Sequence, residues 1–187
     1  MNIISKCIIC SLGIGILMGG SAYAEDPLPM MGVQATVGSA IGVGDATIRH
    51  NAQPGPAVGG AFVVNATTHL GGFVAFDRLD LARNMPAFSE TITGGVRVRV
   101  PELAVYGWTP YALAGAGVGR MDDSASLQKL TIKTGLGLER YFSPNLSVAA
   151  AFNYHYIAPD RSHANDVVHA IVPALVTTYY FGPGVQK

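Results

Sequence analysis

The chain of 187 residues has 12 basic and 12 acidic residues, so its formal net charge is zero at pH 7. This balance excludes the basic face that a nucleic-acid partner requires, and we expect no such partner. Only 13% of the residues are charged, against about a quarter in a soluble domain of ordinary composition. Such a low charge is typical of a protein whose outer surface faces lipid.

Residues 1–24 have the pattern of a secretory signal peptide. Lys6 precedes an apolar stretch from Cys7 to Gly20, and Ala22-Tyr23-Ala24 follows as a small-residue cleavage motif. The apolar stretch is shorter than the ~20 residues that a membrane-spanning helix needs. We therefore predict export and cleavage after Ala24.

The mature chain, residues 25–187, is expected to form one domain. Both cysteines, Cys7 and Cys10, lie in the predicted signal peptide. Neither disulfides nor thiol chemistry is therefore expected in the mature protein.

After Ala24 the apolar residues alternate with polar ones, and clusters of Gly, Pro, Asn and Asp interrupt the alternation. A period of two residues is typical of β-strands with one apolar face. No apolar stripe of helical period is sustained. The pattern predicts eight strands, near residues 31–41, 57–65, 70–79, 91–100, 109–119, 130–141, 146–157 and 167–181.

The predicted links between strands alternate in length. Links 66–69 and 142–145 are short and 101–108 is intermediate, whereas the other links are long. Outer-membrane barrels have short periplasmic turns and longer outer loops. The pattern predicts an all-β fold, an eight-stranded antiparallel up-and-down transmembrane β-barrel in a bacterial outer membrane, with both termini periplasmic.

The predicted strand faces indicate which side of the barrel meets lipid. Val96, Leu136 and Phe152 lie on apolar faces, whereas Arg97 and Glu139 lie on faces that are otherwise rich in small residues. A narrow crowded interior needs small residues, so we expect the polar faces inside and the apolar faces in lipid. A soluble barrel of the lipocalin type is the alternative, and it would reverse the two faces.

Three stretches of sequence match a known pattern: Thr109–Gly119 (TPYALAGAGVG), Gly135–Ser147 (GLGLERYFSPNLS) and Thr177–Phe181 (TTYYF). They resemble the small eight-stranded outer-membrane β-barrel family, the opacity-protein and adhesin-type relatives of the outer-membrane protein A membrane domain. The resemblance implies that outer-membrane lipid and the barrel-assembly machinery are partners. It also implies that Tyr179 and Phe181 belong to the C-terminal signal that this machinery reads.

Two features depart from the family pattern. Gly182–Lys187 continues the chain past Phe181, where the family usually ends on its aromatic residue. Pro173 lies inside the last predicted strand, where it removes a ladder hydrogen-bond donor, and we expect a β-bulge there.

Four charged residues are predicted to face the barrel interior: Arg97, Arg99, Lys133 and Glu139. Opposite charges in a narrow interior should pair, because an unpaired buried charge is costly. We expect a luminal network in which Arg97 and Arg99 pair with Glu139. It would serve as an interior plug or as a gate in a narrow ion path, and the plug is favoured because the side chains of eight strands just fill the interior.

A second polar group surrounds the last predicted outer loop: His155, Asp160, His163, Asp166 and His169. Histidine and carboxylate together can bind a divalent metal or respond to acid pH. Their spacing matches no metal motif, so we expect no metal and no cofactor.

No catalytic residues are predicted. An outer-membrane lipid deacylase would need a serine two residues after a histidine, whereas Tyr156 and Ile157 follow His155. The sequence favours a non-catalytic barrel with a role in envelope integrity or in binding a host or phage surface ligand through its outer loops. A narrow channel for ions or small solutes is the first alternative, and a lipid-modifying enzyme is the second.

Overall fold

The computed structural model describes residues 29–43, 54–82, 86–121, 129–158 and 168–184. The predicted signal peptide and its cleavage site lie outside these residues. No helix in the described ranges is long and apolar enough to cross a membrane.

Within the described residues, eight antiparallel strands close into a barrel in sequence order, each paired with the next and β8 with β1. The prediction of an eight-stranded up-and-down barrel is therefore confirmed. The strands are β1 (Pro29–Val43), β2 (Gly55–Asn65), β3 (Leu70–Ala82), β4 (Pro86–Arg99), β5 (Trp108–Met121), β6 (Lys129–Ser143), β7 (Leu146–Ile157) and β8 (Val168–Gly184).

The two ends of the barrel differ. The short links 66–69 and 144–145 and the link 100–107 lie at one end, together with the start of β1 and the end of β8. We call this the turn end and the opposite end the loop end. The link 100–107 contains one short 3-10 helix, Pro101–Leu103.

One predicted loop is wrong. The sequence predicts a long link at 80–90, but β3 continues to Ala82 and β4 begins at Pro86. The alternation of side-chain exposure continues past Arg78, which is exposed, to Leu79, which is buried. The pairing of β3 with β4 also continues to Ala82 and Pro86, so the strands extend into the predicted loop.

The polar faces line the interior and the apolar faces cover the outside, as predicted. Val96, Leu136 and Phe152 are 53%, 67% and 63% exposed, whereas Arg97 and Glu139 are 5% and 1% exposed. A soluble barrel would show the reverse. A closed sheet with an apolar outside has no unpaired edge and matches the hydrocarbon of a bilayer, so the protein is a transmembrane β-barrel.

Outward aromatic residues mark the limits of the apolar surface. Tyr154 and Tyr156 lie near the loop end of β7 and contact His169 of β8. Trp108 lies at the turn end of β5, and Tyr179 at the turn end of β8. Aromatic rings of this kind prefer the two membrane–water interfaces.

The β-bulge predicted at Pro173 is wrong. β7 and β8 pair without interruption through Phe152 and Pro173. The register between β1 and β8 is also the same on both sides of Pro173, from Gly38–Ala174 to Ile41–Ile171. Proline removes one donor towards β1, and the closed ladder on either side keeps the strand in register.

We expect Leu136→Arg to lower the free energy of unfolding from lipid vesicles by about 2–4 kcal/mol, because it places a cation on the lipid-facing surface. Urea titration followed by far-UV circular dichroism measures the change. Leu136→Ala is the control for lost side-chain size. An equal effect of the two substitutions would contradict the lipid-facing assignment.

Candidate functional site in the barrel interior

A buried polar cluster occupies the turn end of the barrel interior. Arg97 and Arg99 lie two residues apart near the end of β4, so both side chains point inward. Glu139 occupies the corresponding region of β6, and its carboxylate is 1% exposed. The antiparallel register places Arg99 across β5 from Gly137, which is two residues from Glu139 on β6.

Glu139 is the centre of this cluster. Its carboxylate accepts hydrogen bonds from the hydroxyls of Ser147 at 2.7 Å and Tyr180 at 2.8 Å. It forms an ion pair with Arg97 at 2.8 Å and a longer one with Arg99 at 3.8 Å. Charge-assisted bonds of this kind are the strong ones in a protein interior.

Arg99 connects the carboxylate to the opposite wall of the barrel. Its guanidinium donates to the hydroxyl of Tyr141 at 2.7 Å and to the side-chain carbonyl of Asn65. Tyr141 in turn donates to Glu139 at 3.4 Å. Arg99 therefore joins β2 to β6.

Arg97 is held by tyrosines as well as by its ion pair. Its guanidinium carbon lies 4.0 Å from the centre of the Tyr111 ring, and it donates to the hydroxyl of Tyr180 at 3.2 Å. Two cations share one carboxylate in this cluster. The face of an aromatic ring attracts a guanidinium, and hydroxyl and amide oxygens accept its donors, so these groups stabilise the excess positive charge.

Two glycines make room for the tyrosine rings. A Cβ atom on Gly137 would lie 2.6 Å from the hydroxyl oxygen of Tyr111, and one on Gly32 would lie 2.8 Å from the Tyr180 ring. Both contacts are too close for a real side chain. Glycine at these positions therefore lets the large rings reach across the interior.

We call this set the turn-end cluster. Its members are Asn65, Arg97, Arg99, Tyr111, Glu139, Tyr141, Ser147 and Tyr180. The chain of contacts from Asn65 through Arg99 and Glu139 to Tyr180 uses β2, β4, β6 and β8. These are alternate strands of the closed barrel, so the cluster crosses its whole cross-section.

Lys133 is not part of the turn-end cluster. It donates to the carboxylate of Asp77 at 2.7 Å, and both side chains are buried. The pair joins β6 to β3 at a level closer to the loop end. Sequence reasoning grouped Lys133 with the arginines and missed Asp77, although Asp77 shares its parity with the inward Phe73, Ala75 and Leu79.

Sequence reasoning also missed the uncharged members of the cluster. Tyr141 shares the inward parity of Glu139 on β6, and Tyr180 has the parity opposite to that of the outward Tyr179 on β8. The alternation of inward and outward residues along each strand could therefore have identified them as inward residues. It could not show which of the inward residues lie at the level of Glu139.

The histidine and acidic group does not come together as one site among the described residues. His155 lies inside β7 and is buried in the interior, whereas His169 faces outward from β8 and contacts Tyr154. His155 lies within the predicted strand 146–157, as expected. Asp160, His163 and Asp166 lie outside the described residues.

The two candidate residues of the assembly signal lie on the outer surface of β8. Tyr179 is 55% exposed, and the Phe181 ring lies 6.4 Å from the Phe62 ring of β2. Tyr180, between them, points inward to the turn-end cluster. Recognition of Tyr179 and Phe181 by the assembly machinery stays a prediction.

We expect Glu139→Gln to lower the free energy of unfolding by about 3–5 kcal/mol, because it leaves two buried guanidiniums without a counter-charge. Glu90→Gln is the matched control. Glu90 pairs on the outer surface with Arg120 and Arg78, which are 68% and 44% exposed, so its loss should cost about 1 kcal/mol or less.

Urea unfolding of both variants in the same vesicles measures the difference. If the two substitutions cost the same, the buried pair has no special role in stability.

The sequence matches no protein-family model and no curated protein. The structure is similar to Neisserial surface protein A, with a TM-score of 0.66 and 17% identity over 81% of this chain and 97% of that one.

It is also similar to Ail, the attachment invasion locus protein of Yersinia pestis, with a TM-score of 0.53 and 15% identity over 82% of this chain and 99% of that one. A further similar structure is the N-terminal β-barrel domain of Pseudomonas aeruginosa OprF, with a TM-score of 0.50 and 15% identity over 83% of this chain and 100% of that one. At these identities the likeness establishes the fold, which is that of the small eight-stranded outer-membrane barrels.

Proposed function

We propose that the protein is a non-catalytic barrel of a bacterial outer membrane, closed to solutes, with a role in envelope integrity or in surface interaction through its outer loops. The observation that carries the proposal is the turn-end cluster, which joins alternate strands across the interior. Eight strands leave an interior that side chains just fill. Such a barrel is a rigid support for its loops.

The proposed location in the outer membrane implies which molecules the barrel contacts. Outer-membrane lipid covers the apolar surface, and the assembly machinery inserts the barrel with both termini on the periplasmic side. A host or phage surface ligand would bind the loops, because loops on a rigid scaffold commonly carry function. The similar barrel Ail is named for attachment and invasion, and one of its structures is a complex with the heparin analogue sucrose octasulfate.

Cell fractionation combined with surface proteolysis tests the location and the orientation. We expect the protein in the outer-membrane fraction, with protease cutting intact cells only in the links at the loop end (44–53, 122–128 and 159–167). The links at the turn end, 66–69 and 100–107, should be cut only after the envelope is permeabilised. Cleavage of 66–69 in intact cells would reverse the proposed orientation, and a soluble periplasmic protein would overturn the proposal.

A narrow channel is the competing function, because buried charges such as Arg97, Glu139 and Lys133 line the interior. Planar-bilayer recording distinguishes a narrow channel from a closed barrel. The parent protein should show conductance near zero, and Glu139→Ala should raise it, because it removes the carboxylate that joins the walls. Glu90→Ala, on the outside of the barrel, is the control and should conduct no more than the parent.

Steady conductance of the parent protein would favour the channel over the plug. The lipid-modifying enzyme is a third candidate, and it requires turnover of outer-leaflet lipid that is lost in His155→Ala or His163→Ala. His155 is buried inside the barrel, away from lipid, which argues against its use in such a reaction.

A further inference from the structure

The link between β4 and β5 differs in chemistry from the other links at the turn end. Links 66–69 (ATTH) and 144–145 (PN) are polar or rigid, whereas 103–108 reads LAVYGW and contains no charged residue. Glu102 is the single charged residue of the link 100–107. A link that faced only water would not need this composition.

The tip of this link is a tight two-residue hairpin. Val105 and Trp108 exchange backbone hydrogen bonds of 3.1 Å and 3.0 Å. Tyr106 and Gly107 between them have φ angles of 52° and 76°, which is the pattern of a type I′ turn. Asn, Asp and Gly suit these positions, and Tyr106 is the one non-glycine residue among those described that has a positive φ.

The hairpin presents large apolar side chains outward. Tyr106 is 91% exposed, Leu103 is 64% exposed and Val105 is 61% exposed. A tyrosine in a backbone conformation that is costly for it, with its ring turned outward, requires an explanation. Clustered exposed apolar residues usually mark a surface that binds a partner or a membrane.

Several backbone groups of the link are hydrogen-bonded to one another, as a segment in an environment with little water requires. Leu103 donates to the carbonyl of Val100 at 3.1 Å and Ala104 donates to that of Pro101 at 3.0 Å. Val105 and Trp108 bond to each other. Unpaired backbone groups make entry into lipid expensive, and these bonds reduce their number in the link.

The link is also held in place and lies next to the lipid-facing wall. The imidazole of His69 pairs with the carboxylate of Glu102 at 2.6 Å and holds the pKa of Glu102 below its usual range. At the other end of the link, Trp108 has the same outward parity as the exposed Ala112 and Ala114 of β5. The hairpin is therefore continuous with the surface that lipid covers.

We propose that residues 103–108 are an interfacial anchor that inserts Leu103, Val105 and Tyr106 into the headgroup and acyl boundary of the leaflet at the turn end. The occupant of this surface is lipid. Apolar and aromatic residues beside a spanning segment bind this boundary. The apolar wall runs directly into the hairpin, which favours lipid over a protein partner.

Single-tryptophan variants test the proposal, because Trp108 is the one tryptophan in the chain. The test variant is Trp108→Phe with Tyr106→Trp, and the matched control is Trp108→Phe with Thr67→Trp, in the polar link 66–69. Both are folded into phosphatidylcholine vesicles that contain acyl-brominated lipid. Tryptophan emission is then measured with and without aqueous acrylamide.

We expect tryptophan at position 106 to emit at shorter wavelength, to be quenched by brominated lipid and to be protected from acrylamide. Tryptophan at position 67 should show the reverse. If position 106 is quenched by acrylamide as strongly as position 67, lipid does not cover the hairpin and the proposal is overturned. Protection that appears only when a cell-envelope extract is added would likewise overturn it, in favour of a protein partner.

Tyr106→Asn separates anchoring from turn formation. Asparagine suits the positive φ better than tyrosine, so a residue that served only the turn would tolerate the change or gain stability. If Tyr106 is an anchor, its replacement by asparagine should lower the ratio of folded to unfolded protein in vesicles by about tenfold. A ratio equal to or above that of the parent would contradict the anchor.

Discussion

The requirement that backbone polar groups be paired in lipid determines most of this structure. A sheet in a bilayer has no water to bond its edges, so it must close on itself. Closure of eight strands, with β8 returned to β1, leaves an interior only wide enough for side chains. The outward residues within the hydrocarbon then have to be apolar, and the polar side chains of the spanning strands have to lie inside.

The turn-end cluster follows from that restriction. Two arginines and one glutamate in a space without bulk water would be expensive if they were unpaired. Glu139 meets both guanidiniums, the Tyr111 ring supports Arg97, and the Asn65 carbonyl supports Arg99. The same bonds join opposite walls of the barrel, so the pairing that satisfies these charges also crosses the interior. The link 103–108 follows the same rule in part, since Val105 and Trp108 pair their backbone groups while the side chain of Tyr106 is exposed.

Much of the fold could be predicted from the sequence because a barrel strand has a period of two. The alternation of Val96 with Arg97, and of Leu136 with Glu139, correctly predicted which residues face outward and which face inward. The bounds of β7, Leu146–Ile157, were also predicted correctly. The prediction was wrong at two places. The third strand was ended at residue 79 and a bulge was expected at Pro173, although inter-strand pairing continues through both.

The sequence by itself determined that the chain forms strands with one apolar and one polar face, and which residues lie on each, because adjacent side chains on a strand point to opposite sides. It could not determine which inward residues meet. That depends on the stagger between strands and on closure, which place Asp77 of β3 beside Lys133 of β6 and Tyr180 of β8 beside Glu139 of β6. These contacts join residues far apart in sequence, and only the closed barrel brings them within bonding distance.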